Sequence, residues 1–243
     1  MFSLRVLCFL FTALVGIASR SEASIITVPI GLAPGSQYRL VFVTQGSYIA
    51  SSANISTYNL DVSTEVAGIP QLAALGATWT AIGSTESVSA ATNIGFSAST
   101  VGIYRLDGTL IANGTGTTAT ALFSGSILNP IDINDTGGGA GAVLVWTGTS
   151  TDGSSALFGL ALGASPYILT GVTVATDVEW IDSQTDGSVL PHRLYGISST
   201  LTVPGAPEPE PGTTILVALG SGLLLLVQRA RKMRPSHYSQ TDR

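Results

Sequence analysis

Two uncharged apolar runs, one near each end of this 243-residue chain, confine what can fold as a water-exposed domain to the stretch between them. At the start, Met1 to Leu4 lead through Arg5 into an apolar run from Val6 to Ile17, and Ala18 to Ala23 follow with small residues at intervals. A basic opening, an apolar run too short to span a bilayer comfortably, and Ser21 and Ala23 at the minus-three and minus-one positions predict a secretory signal over 1–23. The spacing places cleavage after Ala23, so an N-terminal signal helix precedes a body that begins at Ser24.

At the other end, Pro204, Pro207, Pro209 and Pro211 alternate with Gly205, Glu208 and Glu210. Such a run sustains neither a helix nor a sheet ladder, so 205–212 reads as an extended linker. Thr213 to Val227 then carries no charge, and Arg229, Arg231, Lys232 and Arg234 follow at once. At about 1.5 Å per residue the uncharged run measures about 22 Å as a helix, short of a hydrocarbon core of roughly 30 Å. The expectation is a short transmembrane helix over 213–228. Its basic cluster snorkels to the headgroups, the 229–243 tail stays cytoplasmic by the positive-inside rule, and the body lies outside.

This order of Pro-Glu-Pro turn, apolar helix and basic end resembles the PEP-CTERM sorting signal of bacteria that make extracellular polysaccharide. Glu210-Pro211-Gly212-Thr213-Thr214 stands where that family usually has Glu-Pro-Ser-Thr. Two departures are visible: the element is doubled, Pro207-Glu208-Pro209 overlapping Pro209-Glu210-Pro211, and the tail after Arg234 is longer than usual. The resemblance covers only the C-terminal stretch. It implies that a membrane-embedded exosortase reads Pro209, Glu210 and Pro211 after the export machinery has delivered the chain. Residence in the inner membrane is then transient and ends at the cell surface or in the matrix. The alternative is an ordinary single-pass anchor on a proline-rich stalk.

The body, 24–204, has the length of one domain with a sizeable core. The single cysteine, Cys8, falls in the signal segment, so the mature protein has neither a disulfide nor a thiol nucleophile. Arg39, Arg105 and Arg193 are the body's only basic residues apart from His192, set against eleven acids, which leaves it near minus eight. The chain total of −5 conceals this, because the C-terminal tail is basic. Such a body lacks the electrostatic footprint for nucleic acid, or for polyanionic glycans held by many charge pairs. Neutral extracellular polysaccharide, or acidic polysaccharide bridged by metal, remains open as a partner.

Tyr38 to Thr44 reads as a strand ending in a Gln45-Gly46-Ser47 turn. A helix capped by Ser51 or Ser52 follows, with Ile55, Tyr58, Leu60, Val62 and Val66 at near-helical spacing until Gly68 and Pro70. Thr78 to Ile82 alternates as a strand. Gly102 to Leu106 and Thr109 to Ala112 flank Asp107-Gly108, the signal for a hairpin with a type I′ turn. Val143 to Thr147 and Arg193 to Ser198 complete the strand candidates. The order of these landmarks, from Trp79-Thr80-Ala81-Ile82-Gly83 through Val145-Trp146-Thr147-Gly148 to Leu194-Tyr195-Gly196-Ile197, is similar to endostatin-like domains.

That resemblance implies an α+β, C-type-lectin-like fold with a twisted, mainly antiparallel sheet and one or two helices; an all-β sandwich is the alternative. Endostatin-like domains carry paired cysteines, a histidine-based zinc site and a basic heparin-binding face, all missing here, so none of those activities is carried over.

Asp132-Ile133-Asn134-Asp135-Thr136-Gly137 has the spacing of an EF-hand opening, but Val143 occupies the twelfth position where a bidentate glutamate belongs. A solvated Asn-Asp-Gly loop is the better reading. Asp177, Glu179, Asp182 and Asp186 gather around Trp180, which makes them the candidate glycan site: the ring would stack on a sugar, with calcium as an optional bridge. Against this stands a core tryptophan with acids on its outward side. A glycosidase pair would need two carboxyls roughly 5–9 Å apart in a cleft, which sequence proximity does not establish. No Gly-x-Ser-x-Gly elbow occurs, and His192 is the body's sole candidate base, so no catalytic residue and no required cofactor are assigned.

The favoured function is therefore a noncatalytic surface protein, with a carbohydrate-binding module as the alternative. N-terminal sequencing of the exported protein is expected to begin at Ser24; a chain still starting at Met1 would identify an uncleaved anchor.

Overall fold

The computed structural model describes residues 24–95, 100–205 and Arg229. The signal segment, Pro209, Glu210, Pro211, the apolar run, Arg231, Lys232 and Arg234 lie outside the described residues; Arg229 is helical and exposed. Among the described residues no helix is long and apolar enough to cross a membrane.

The body is α+β, with few helices and a mainly antiparallel sheet. In chain order it runs β1 (Gln37–Val43), α1 (Ile55–Ala67), α2 (Pro70–Ala73), β2 (Trp79–Ala81), α3 (Ala90–Asn93), β3 (Gly102–Arg105) and β4 (Leu110–Asn113). There follow β5 (Leu144–Trp146), β6 (Tyr167–Val172), a 3₁₀ turn (Val178–Trp180), β7 (Gln184–Gly187), β8 (Tyr195–Ser198) and β9 (Leu201–Thr202).

Side chains alternate across a strand, so a strand covered on both faces must be apolar almost throughout. β1 meets that requirement. Tyr38, Leu40 and Phe42 enter one cluster with Tyr58, Val62, Val66, Leu72 and Trp79 from the helical side. Val41 and Val43 enter the other with Ile103, Ile111, Phe123, Trp180 and Ile197. β8 runs antiparallel to β1 with Val41 opposite Ile197, and β3 runs parallel with Leu40 opposite Tyr104. β2 extends the sheet beyond β8 and β4 beyond β3, while β9 pairs with the start of β1. A second antiparallel sheet, β5-β6-β7, joins the first through the Trp146 amide, which donates to the Arg193 carbonyl at 2.9 Å.

The helix starts differently from the sequence expectation. Asn54 is its cap, accepting from the Ser56 amide at 3.1 Å, while the Ser52 hydroxyl takes the Asn54 amide at 3.2 Å and pairs with the Thr57 hydroxyl at 2.9 Å. The Tyr58 hydroxyl donates to the Ser52 carbonyl at 2.7 Å and takes the Ser52 amide at 3.1 Å. Tyr58, Val62 and Val66, spaced by four, form the buried stripe, whereas Leu60 faces solvent.

The hairpin between β3 and β4 also differs in its turn from the prediction. A type I′ turn needs positive φ at both central residues, yet Gly108 alone has it (φ +85°) and Asp107 does not. The Gly108 amide donates to the Arg105 carbonyl and the Arg105 amide to the Thr109 carbonyl, both at 2.9 Å. This is a type I turn closed by a glycine bulge, the common three-residue solution.

β2 lies at the edge of the larger sheet, where unpaired backbone groups invite non-native pairing. Two side-chain amides cover it. Asn59 Oδ1 accepts from the Ala81 amide at 2.9 Å, and Asn93 Nδ2 donates to the Ala81 carbonyl at 2.8 Å. The two asparagines also bond each other reciprocally at 2.8 and 2.9 Å, tying α1, α3 and β2 together. Asn59→Ala strands both the Ala81 amide and one Asn93 group, and is expected to lower stability by about 1–3 kcal/mol in denaturant titration. A loss below about 0.5 kcal/mol would show that water replaces the amide at no cost.

Candidate functional site

The predicted 177–186 patch does not assemble around an available aromatic ring. Trp180 is fully buried, stacked on Phe123 at 6.5 Å and tilted on Tyr195 at 5.8 Å, so it presents no face to a sugar. The bland reading of that tryptophan is the right one. Asp177 caps the 3₁₀ turn, accepting from the Glu179 amide at 3.2 Å, and Glu179 points to solvent. Asp182 is half-buried, and desolvation raises its pKa. Asp186 belongs to β7 and engages His192, its Oδ2 lying 2.8 Å from Nε2. Its carboxyl is held below the usual range by the Gly187 amide first and then by His192. No group of three or more metal-ligating side chains occurs among the described residues.

The 132–137 loop, expected to be a solvated Asn-Asp-Gly loop, is instead largely buried. Arg105 takes Asp132 through Nη1 and the Pro130 carbonyl at 3.0 Å, while its Nε holds Asp107 at 3.0 Å. Asn134 Oδ1 accepts from the Thr136 amide (3.1 Å), the Thr136 hydroxyl (2.8 Å) and the Gly138 amide (2.9 Å). Asp132 is held by the arginine and the Asn134 side-chain oxygen by its own loop, and both Asn134 and Asp135 are buried.

What the fold does bring together is a polar belt at the end of β1, spanning residues far apart in sequence. Beyond Val43 the chain turns through Gln45 and Gly46 to Tyr48, which bridges His192: the Tyr48 amide donates at 2.7 Å and the His192 amide returns at 3.0 Å. The Trp146 indole donates to the Tyr48 carbonyl at 2.8 Å, and the His192 ring tilts over that indole at 4.5 Å. From this anchor the Tyr48 hydroxyl reaches the last turn of α1 and donates to Glu65 Oε1 at 2.6 Å. The Gly46 amide donates to the same oxygen at 2.9 Å; a Cβ on Gly46 would lie 2.1 Å from it, so any other residue would push the Glu65 carboxyl out of this position. The Asp135 amide donates to the Val43 carbonyl at 3.1 Å, setting the Asp135 carboxyl against Glu65.

Two adjacent carboxyls in a dry place do not both ionise. Burial, then the hydrogen bond and charge of Glu65, push Asp135, only 1% exposed, up to about 7. Burial also works against ionised Glu65. Donation from Asp135, Tyr48 and the Gly46 and Gln45 amides outweighs it and holds Glu65 below the usual carboxylate range. Asp135 Oδ1 is buried without a donor, which is costly for a charged oxygen and tolerable in a protonated acid. Below about pH 7 the pair therefore shares one proton and clamps three segments: the end of β1, the end of α1 and the 134–138 loop.

Nothing in the sequence marked this pair, since Glu65 and Asp135 are seventy positions apart and Glu65 looks like a surface helix residue. Near the other end of the belt a cavity of about 390 Å³ is lined by Ser47, Val143, Leu144, Pro191, His192 and Arg193. The His192 ring is oriented by Asp186 and Trp146, but no serine or threonine hydroxyl bonds its other nitrogen among the described residues. A comparison with protein-family models finds no matching family, and a search of curated proteins finds no significant relative.

The proton-sharing pair fixes a pH dependence. Between the ordinary aspartate range and about 7, folded Asp135 holds a proton that the unfolded chain has released, so its contribution to stability falls as pH rises. Glu65 acts oppositely, its contribution being lost only as pH drops below its ordinary range. Asp61, one turn earlier, is raised by burial and by the charge of Glu65, and adds to the first effect. Stability is thus expected to decline from about pH 5 to pH 8, at a slope of up to about 1.4 kcal/mol per pH unit. Asp135→Asn, which mimics the protonated acid, should flatten most of that decline; an unchanged slope in the variant would place the proton elsewhere.

Proposed function

We propose that this chain is a noncatalytic exported protein of the bacterial cell surface or extracellular matrix, handed by its C-terminal PEP-CTERM signal to an exosortase for release or attachment. The carrying observation is the order of the tail: Pro209-Glu210-Pro211, an apolar run of marginal spanning length, then Arg229, Arg231, Lys232 and Arg234. The way the body closes on itself supports the reading. β9 pairs with the start of β1, the Val203 amide donates to the Ser36 carbonyl at 2.9 Å, and the Gly35 amide donates to the Val203 carbonyl at 3.0 Å. The chain then leaves the body at exposed Pro204 and Gly205, directly into the proline-rich linker.

Within the α+β class, the C-type-lectin-like fold is the finer reading. It is supported by the succession of strand, helix, edge strand and hairpin, and by first and last strands that pair. Carbohydrate binding through Trp180 is not retained, because the ring is enclosed in the core.

The sorting reading is tested in an exosortase-positive host by fractionation and by intact mass of the recovered protein. Glu210→Ala combined with Glu208→Ala, needed because the element is doubled, or deletion of 213–227, is expected to abolish C-terminal shortening and retain or mislocalise the chain. The circular dichroism of the body should not change. Unchanged fractionation and unchanged C-terminal mass in both variants would reject exosortase processing.

A further inference from the structure

The three arginines of the body are not equivalent. Arg105 is satisfied by Asp107 and Asp132. Arg39 is not. It lies near the start of β1 on the face that carries Val41 and Val43, and is only 6% exposed. Its Nε donates to the Ser198 carbonyl at 2.7 Å. Among the described residues its two terminal nitrogens bond nothing and no carboxylate pairs with it. Burial pulls its pKa down to about 10. A fold retains a cation so placed more readily where an anion completes it.

The terminal nitrogens belong to a residue that lines a cavity of about 300 Å³, shared with Gln37, Gly95, Gly114 and Thr200 among others. That volume is at the small end of ligand sites. Among the described residues the lining holds one cation and no acid, so it matches one negative charge. A guanidinium fork takes a carboxylate through two parallel bonds. Gln37 and Thr200 add amide and hydroxyl groups suited to the hydroxyls of a sugar. A body near minus eight would repel a dianion or a densely charged polymer. We propose that this cavity binds a single carboxylate carried on a small polyhydroxylated molecule, the hexuronic-acid class, with Arg39 taking the carboxylate. The site reads one acidic sugar unit, which distinguishes it from binding by a broad basic face, and it is independent of how the chain is sorted.

The experiment is a thermal melt of the full chain in glucuronate, acetate or glucose at matched ionic strength and pH. Glucuronate is expected to raise the midpoint by about 3 °C at roughly tenfold excess over its Kd, acetate to raise it less, and glucose not at all. Arg39→Lys keeps the charge but loses the fork, and should remove most of the glucuronate shift. Should that variant fail to fold, amide shifts in the natural chain decide: glucuronate must perturb Gly95, Gly114 and Thr200. Equal melting in glucuronate and glucose, a shift retained in folded Arg39→Lys, or amide perturbations absent from those three residues would each overturn the proposal.

Discussion

Everything in this body hangs on the burial of β1 from both sides. A strand that must satisfy two cores at once cannot be displaced by one residue without inverting both sets of side chains, so the register of its neighbours follows from it. β8 and β3 flank it, β9 pins its start, and α1 seals one face by setting Tyr58, Val62 and Val66 over Leu40 and Phe42. With no cysteine in the body, this packing takes the place that disulfides hold in many exported domains.

The two ends of β1 then have different chemistry. Its start holds Arg39, a cation enclosed without a counter-charge; its finish leads into the belt where Tyr48, Glu65 and Asp135 meet. Both are polar groups in places where water is scarce, and the fold treats them oppositely. Of the two acids, Asp135 is neutralised by the shared proton and Glu65 is held ionised by donors from Gly46 and Tyr48. The arginine has only the Ser198 carbonyl and an open cavity. A balanced cluster is a structural clamp, whereas an unbalanced one is a place for a ligand.

Local chemistry explains which parts were legible in advance. Tyr38 to Thr44 announced β1 by its density of β-branched and aromatic residues, and Val62 and Val66 announced α1 by their spacing. Asp107-Gly108 marked a hairpin correctly but not its turn type, because the Gly108-side bulge depends on how β3 and β4 pair. Asn54 rather than Ser52 became the cap, the Ser52 hydroxyl being taken up by the Asn54 amide and Thr57, bonds that no capping preference contains. β6 and β7 passed unnoticed: β7 carries no apolar pattern of its own and is defined by its pairing with β6, which in turn pairs with β5. Trp180 drew attention through its acidic neighbours, yet a large apolar ring gains more from Phe123 and Tyr195 than from solvent.

The sequence by itself determined the organisation of the chain: apolar ends around one acidic, cysteine-free body, and a tail whose Pro-Glu-Pro turn, short apolar run and basic cluster are contiguous. Those features are readable because composition and short-range order carry them. Only the tertiary structure decided which charges are solvated, which are shared and which are stranded. Glu65 meets Asp135, and Arg39 meets a cavity, because strands and helices distant in the chain converge at the two ends of β1. Burial, and with it the energy of a charge, is a property of that convergence.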